Sequence, residues 1–143
     1  MQRRRNSRIN AIQMMYQMDI KNDNPDNIIL MHWQAFEKQL DKKSKTFAEE
    51  LFLKTFENRD KIDIYIKKYL KETWKIDRLG LIDVNVLRVA ISEFIFFDTP
   101  IYAILDEYVT IASIYSDEKN TSFINALLDK FRGEYKIIDD RKN

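Results

Sequence analysis

Apolar residues recur three and four positions apart through nearly the whole chain, the spacing of a buried helix face. The pattern predicts a first helix over about 4–18, with Ile9, Ile12 and Tyr16 on one stripe widened by Ala11, Met15 and Met18. The polar stretch "KNDNPDN" reads as a turn, and Asp26 or Asn27 as the cap of a second helix over about 27–40. Leu30, Trp33, Phe36 and Leu40 are the expected inward positions of that helix. "DKKSK" reads as a polar loop before a third helix over about 46–57. "NRD" marks a break, and a fourth helix over about 61–72 carries Ile62, Ile66, Tyr69 and Leu70. The fifth, over about 84–97, has Asp83 at its expected cap and stops at "DTP", since Pro100 biases Thr99 away from helix. A sixth spans about 101–115. A seventh, capped by Thr121 or Ser122, ends before Gly133.

The fifth helix is apolar around most of its circumference, so other helices should surround it. Two glycines and two prolines in 143 residues leave too little punctuation for a β protein. The expectation is a compact all-α single domain over 1–143. Helices within about 1–72 would form one group and those within about 83–135 another, ahead of a frayed tail at 136–143.

Composition narrows the function classes. With no cysteine, disulfides, thiol catalysis and cysteine-ligated zinc are excluded. No apolar run approaches the roughly 20 residues that span a bilayer, and Asn10, Gln13 and Gln17 interrupt any signal-like core near the start. The expected location is the cytoplasm, with no membrane partner. His32 is the only histidine, and no glycine-rich phosphate loop occurs, so an enzyme reading lacks a motif. No cofactor or metal is expected, and His32 reads as a structural side chain beside Trp33.

The charge distribution says more than the net charge of +1. Arg3, Arg4, Arg5 and Arg8 give the first eighteen residues a charge of +4 with no acid among them. A basic patch on a neutral body is one footprint of nucleic-acid binding. Arginine suits phosphate through its planar fork and stacks on bases. Amides such as Gln13, expected on the same exposed face as Asn10 and Gln17, could read base edges. Arg88, in the most apolar helix, reads instead as an internal ion-pair member with Glu93 or Glu107 as partner. Trp74 reads as a core anchor.

Four segments together resemble one family. The arginines followed by "AIQMMYQMD", then "WKIDRLGLIDVNVLRVAISEF", "TPIYAILDEYVTIASIYS" and "NTSFINALLDKF", are similar in order and spacing to the NusB family of bacterial transcription antitermination factors. The resemblance runs from Arg3 to Phe131. It implies an all-helical, non-enzymatic protein that pairs with the small-subunit ribosomal protein NusE and binds the boxA element of nascent ribosomal RNA. With other Nus factors, such a protein modifies RNA polymerase against termination. By the same resemblance Arg3, Arg4, Arg5 and Arg8 would contact boxA, and Lys119 and Asn120, with Phe123 behind them, would form a second RNA-facing region. Tyr16, Asp77 and Asp83 would face NusE. Three positions depart from the family pattern: Asp106 stands where asparagine is usual, Ala126 where glycine is, and Ser113 where lysine is common.

Other readings stay open. The fold also resembles the N-terminal module of ribosomal-RNA cytosine methyltransferases, whose chain would continue into a cofactor-binding α/β domain. A helical protein-interaction module or homodimer with no RNA role is the reading from another class. A helix-turn-helix regulator lacks its basic recognition helix here.

Overall fold

The computed structural model describes residues 2–36, 40–70 and 79–142. Among these residues the chain forms seven helices and no strand: α1 (Gln2–Lys21), α2 (Pro25–Phe36), α3 (Lys42–Glu57), α4 (Arg59–Tyr69), α5 (Leu81–Phe96), α6 (Ile101–Tyr115) and α7 (Glu118–Lys142). Trp74 and Asp77 fall outside the described residues.

The helix boundaries follow from caps that lie slightly upstream of those the sequence suggests. At the end of α1, Asn22 takes a left-handed conformation (φ 50°) and its N–H donates to the Met18 carbonyl, a helix stop that asparagine tolerates. The Asn24 side chain accepts from the Asp26 N–H at 2.8 Å. Asn24 therefore caps α2, in place of Asp26 or Asn27, and Pro25 occupies the first helical position, where its missing N–H costs nothing. Asp41 caps α3 through the Ser44 N–H at 2.8 Å, which starts that helix within the stretch expected to be loop. Asn58 ends α3 and opens α4. Asp117, not Thr121 or Ser122, caps α7, accepting from the Asn120 N–H at 2.7 Å. That helix runs on through Gly133 to Lys142, past the expected stop and through the segment expected to fray.

As its composition demands, α5 lies at the centre. Eleven of its sixteen residues are buried, enclosed by α1, α3, α4, α6 and α7. Arg8 pairs with Glu93, and further along α1 Asp19 accepts from Asn85, so α1 and α5 run antiparallel. Phe94, Phe131, Tyr65 and Tyr69 meet edge to face and tie α4 and α7 to the far end of α5, a geometry that adds to simple burial. The buried apolar side chains of all seven helices form one continuous cluster. The outlier is α2, which among the described residues packs mainly on α1 and α3. Its inward stripe is Ile28 and His32 flanked by Ile29 and Trp33, and Leu30, expected inside, is 58% exposed.

Candidate nucleic-acid interface

The four N-terminal arginines share one helix but not one environment. Arg3 and Arg4 stand exposed on the first turns of α1, Arg5 is half-buried, and Arg8 is 4% exposed. The cause is the path of α1, which begins at the rim and passes between α3, α5 and α6. Arg8 reaches Glu93 with both prongs of its fork, Nε to Oε1 and Nη2 to Oε2, each at 2.8 Å. The buried Tyr108 hydroxyl donates to the same Oε1 at 2.7 Å. Burial alone would raise the Glu93 carboxyl. The Arg8 fork and the Tyr108 hydroxyl outweigh it and hold that carboxyl below its ordinary range. Tyr108, wholly buried beside this carboxylate, is pushed well up. Nearer the surface, Arg5 donates to Glu107 from Nε at 2.9 Å and from Nη2 at 3.3 Å.

Two expectations change here. Arg8 holds the base of α1 against α5 and presents no accessible face to RNA. Arg88 does pair internally, but with Asp63 and Asp19, donating Nε to Asp63 at 2.8 Å and Nη1 to Asp19 at 2.9 Å. Positions 88 and 93 are five apart, so about 140° of helical rotation separates them. Glu93 faces α1 and α6, whereas Arg88 faces α4 and the end of α1.

The amide face also turns out differently. Asn10 is buried, and Gln17 reaches α2 instead of solvent. The Gln17 amide donates to His32 Nδ1 at 2.9 Å, and His32 Nε2–H donates to Asn10 Oδ1 at 2.6 Å. An amide N–H can only donate, so this arrangement selects the neutral Nε2–H tautomer. Burial pushes the imidazole down to about 4. His32 is therefore a structural link between α1 and α2. Gln13 lies half-buried on the same helix.

What remains accessible is a cationic ridge built by two helix starts. Ser7 donates its hydroxyl to the Ser44 carbonyl at 2.9 Å, which sets α1 and α3 side by side in parallel. Arg3, with 84% of its side chain exposed, lies 3.5 Å from Asp41. The Arg4 guanidinium sits 4.0 Å above the centre of the Phe47 ring, a cation–π contact. Lys42 and Lys43 stand exposed beside them, and Arg3, Arg4, Lys42 and Lys43 line the two depressions between the helices together with the carboxylates Asp41 and Glu50. Asp41 is held below its ordinary range by the Ser44 N–H that it caps, with Arg3 adding a smaller effect. The sequence pattern predicts a loop at these lysines, where the structure has the start of α3. The cue was an aspartate followed by clustered lysines, which is a capped helix start as well as a polar linker.

The second expected region lies elsewhere. Lys119 is exposed, and Asn120 and Phe123 are half-buried, all on the first turns of α7. The Asn120 amide donates to Asp83 Oδ2 at 2.9 Å. Asp83 is 5% exposed in the first turn of α5, whose cap position is Gly80. Asp83 thus fixes the start of α7 against α5 and is not open to a partner, a correction to its expected role. Tyr16 is half-buried midway along α1. Ten residues of α5 separate Asp83 from Glu93, about 15 Å at 1.5 Å per residue. The ridge and the α7 start therefore occupy opposite ends of the central helix.

The model of the NusB family matches residues 5–132. The transcription antitermination protein NusB of Natranaerobius thermophilus is 36% identical over 129 residues, which cover 89% of this chain and 92% of that one. Among solved structures, T. maritima NusB superposes with a TM-score of 0.80 at 32% identity, over 92% of this chain and 91% of that one. A chain in the crystal structure of antitermination factors NusB and NusE in complex with dsRNA gives 0.83 at 27% identity, over 94% and 99%.

Proposed function

The chain belongs to the NusB family, and on that premise we propose that it is a non-enzymatic, cytoplasmic transcription antitermination factor that pairs with NusE and binds boxA RNA. The observation that carries the reading is the whole-length similarity to a NusB solved together with NusE and RNA. The phosphate contacts fall to Arg3, Arg4, Lys42 and Lys43, which are exposed and clustered. Arginine forks and lysine point charges both suit phosphate. Arg5 lies at the inner edge of this group, committed to Glu107. Lys119 and Phe123, at the other end of α5, provide a second contact for a strand that crosses the molecule. Tyr16, between the two, belongs to the NusE-facing surface. Other Nus factors and RNA polymerase are reached through the assembled complex.

This arrangement makes RNA and NusE neighbours on one small protein, so their binding should be coupled. Coupling between two ligands is reciprocal. Titration of labelled boxA RNA, followed by fluorescence anisotropy with and without saturating NusE, should show tighter RNA binding when NusE is present. Boxed in by linkage, NusE capture must tighten by the same factor when RNA is added. RNA affinity indifferent to NusE, or no RNA binding in either condition, contradicts the reading.

A further inference from the structure

Beside the ridge lies a groove of about 560 Å³ that shares Arg4 with the phosphate contacts. It opens between α1, α3 and the loop joining α5 to α6. Its walls include Arg4, Phe47, Phe97 and Tyr102, and its lining also includes Glu50 and Asp98. Phe47 and Phe97 pack edge to face with centroids 5.7 Å apart. Tyr102, on the first turn of α6, is 70% exposed, an unusual place for a large aromatic with nothing over it. Glu50 and Asp98 are both exposed. Arg4 lines this groove and both depressions of the ridge.

We infer that this groove is a base-binding pocket that takes one unstacked guanine of the RNA held by the ridge. The inference rests on the RNA-binding reading above and adds a specificity to it. Continuity comes from Arg4: a strand whose phosphates lie on Arg3 and Lys43 has an adjacent base within reach of the groove. Aromatic rings and a guanidinium plane are the surfaces on which splayed bases of single-stranded RNA stack. Glu107 also lines the groove but is tied to Arg5 and Arg8, so Glu50 and Asp98 are the carboxylates that decide what enters. Ionised carboxylates only accept hydrogen bonds, so they favour a base edge that presents donors. Guanine places N1–H and the 2-amino group side by side, which matches the two oxygens of one carboxylate. Uracil offers a single N3–H between two carbonyl oxygens and is opposed on both sides.

The test compares two RNA nonamers, one all uridine and one with a single central guanosine, by anisotropy against the full chain. The guanosine nonamer should bind about tenfold tighter, within the discrimination that one good bidentate base contact supplies. Glu50→Gln combined with Asp98→Asn should abolish that preference and leave the all-uridine RNA bound at least as well. Tyr102→Ala should weaken the guanosine RNA selectively. All three side chains are exposed, so a folded variant is expected, and its circular dichroism spectrum checks this. Equal wild-type affinity for both RNAs, with binding still lost in an Arg3→Ala/Lys43→Ala variant, removes the pocket and spares the RNA reading. A guanosine preference that survives loss of both carboxylates also removes it. Failure of either RNA to bind overturns the pocket and the RNA reading together.

Discussion

Arg8→Ala should lower the unfolding free energy by about 3–5 kcal/mol, the usual cost of stranding one partner of a buried ion pair. Glu93 is fully buried and would keep the Tyr108 hydroxyl and a weaker Thr99 hydrogen bond but no cation. Arg3→Ala, five residues upstream in the same cluster, should change stability by no more than about 0.5 kcal/mol, because its contact with Asp41 is exposed. Urea unfolding of the two variants separates them. Replacing both members, as in Arg8→Met/Glu93→Leu, should recover a large part of the loss, since an apolar pair of similar volume avoids the stranded charge. If Arg8→Ala were as stable as Arg3→Ala, the buried pair would not be what fixes α1 to α5.

Acidification supplies the second large effect, and it comes from His32. In the unfolded chain the imidazole has its ordinary value of 6.5, whereas in the fold burial holds it near 4. Between those values the unfolded chain binds a proton that the folded chain refuses. Stability therefore falls as pH drops from 6.5 to about 4, and this contribution levels off below that. Two and a half units amount to about 3 kcal/mol at most. His32→Gln removes the titrating group and retains hydrogen-bonding capacity. Urea midpoints measured from pH 7 to pH 4 should decline less steeply in the variant. The depressed Glu93 carboxyl acts in a lower window, losing its stabilisation only as pH falls from its ordinary 4.5 through its folded value. Parallel pH profiles for wild type and His32→Gln would contradict the account of the α1–α2 link.

These two residues also show what sequence could and could not disclose. The helices were legible because a 3.6-residue period over a chain with almost no Gly or Pro has few alternative readings. The central position of α5 was legible for the same reason, since a helix apolar all round must be enclosed. Caps were harder: "KNDNPDN" and "SDEKNTS" each offer several side chains able to cap, and one is used. The site was only half legible. Arg3, Arg4, Arg5 and Arg8 are alike in sequence, and what distinguishes them is a pair of glutamates about 85 to 102 positions away. A separation of 37 positions likewise hid the partner of Asp83, which is Asn120 on another helix. Lys42 and Lys43 join the arginines only because a Ser7–Ser44 hydrogen bond sets two helix starts side by side.

The central claim is that the exposed ridge, not the whole arginine cluster, grips RNA. The direct measurement is boxA affinity of Arg3→Ala/Arg4→Ala/Lys43→Ala, with NusE present, across a salt series. Each phosphate contact to a single strand contributes a slope of about 0.7 in log affinity against log salt. Three lost contacts should flatten the slope by about two and weaken binding roughly 100-fold at 0.1 M salt, with the circular dichroism spectrum and urea midpoint near wild type. A variant that is folded and keeps both the wild-type affinity and the wild-type slope would contradict the account.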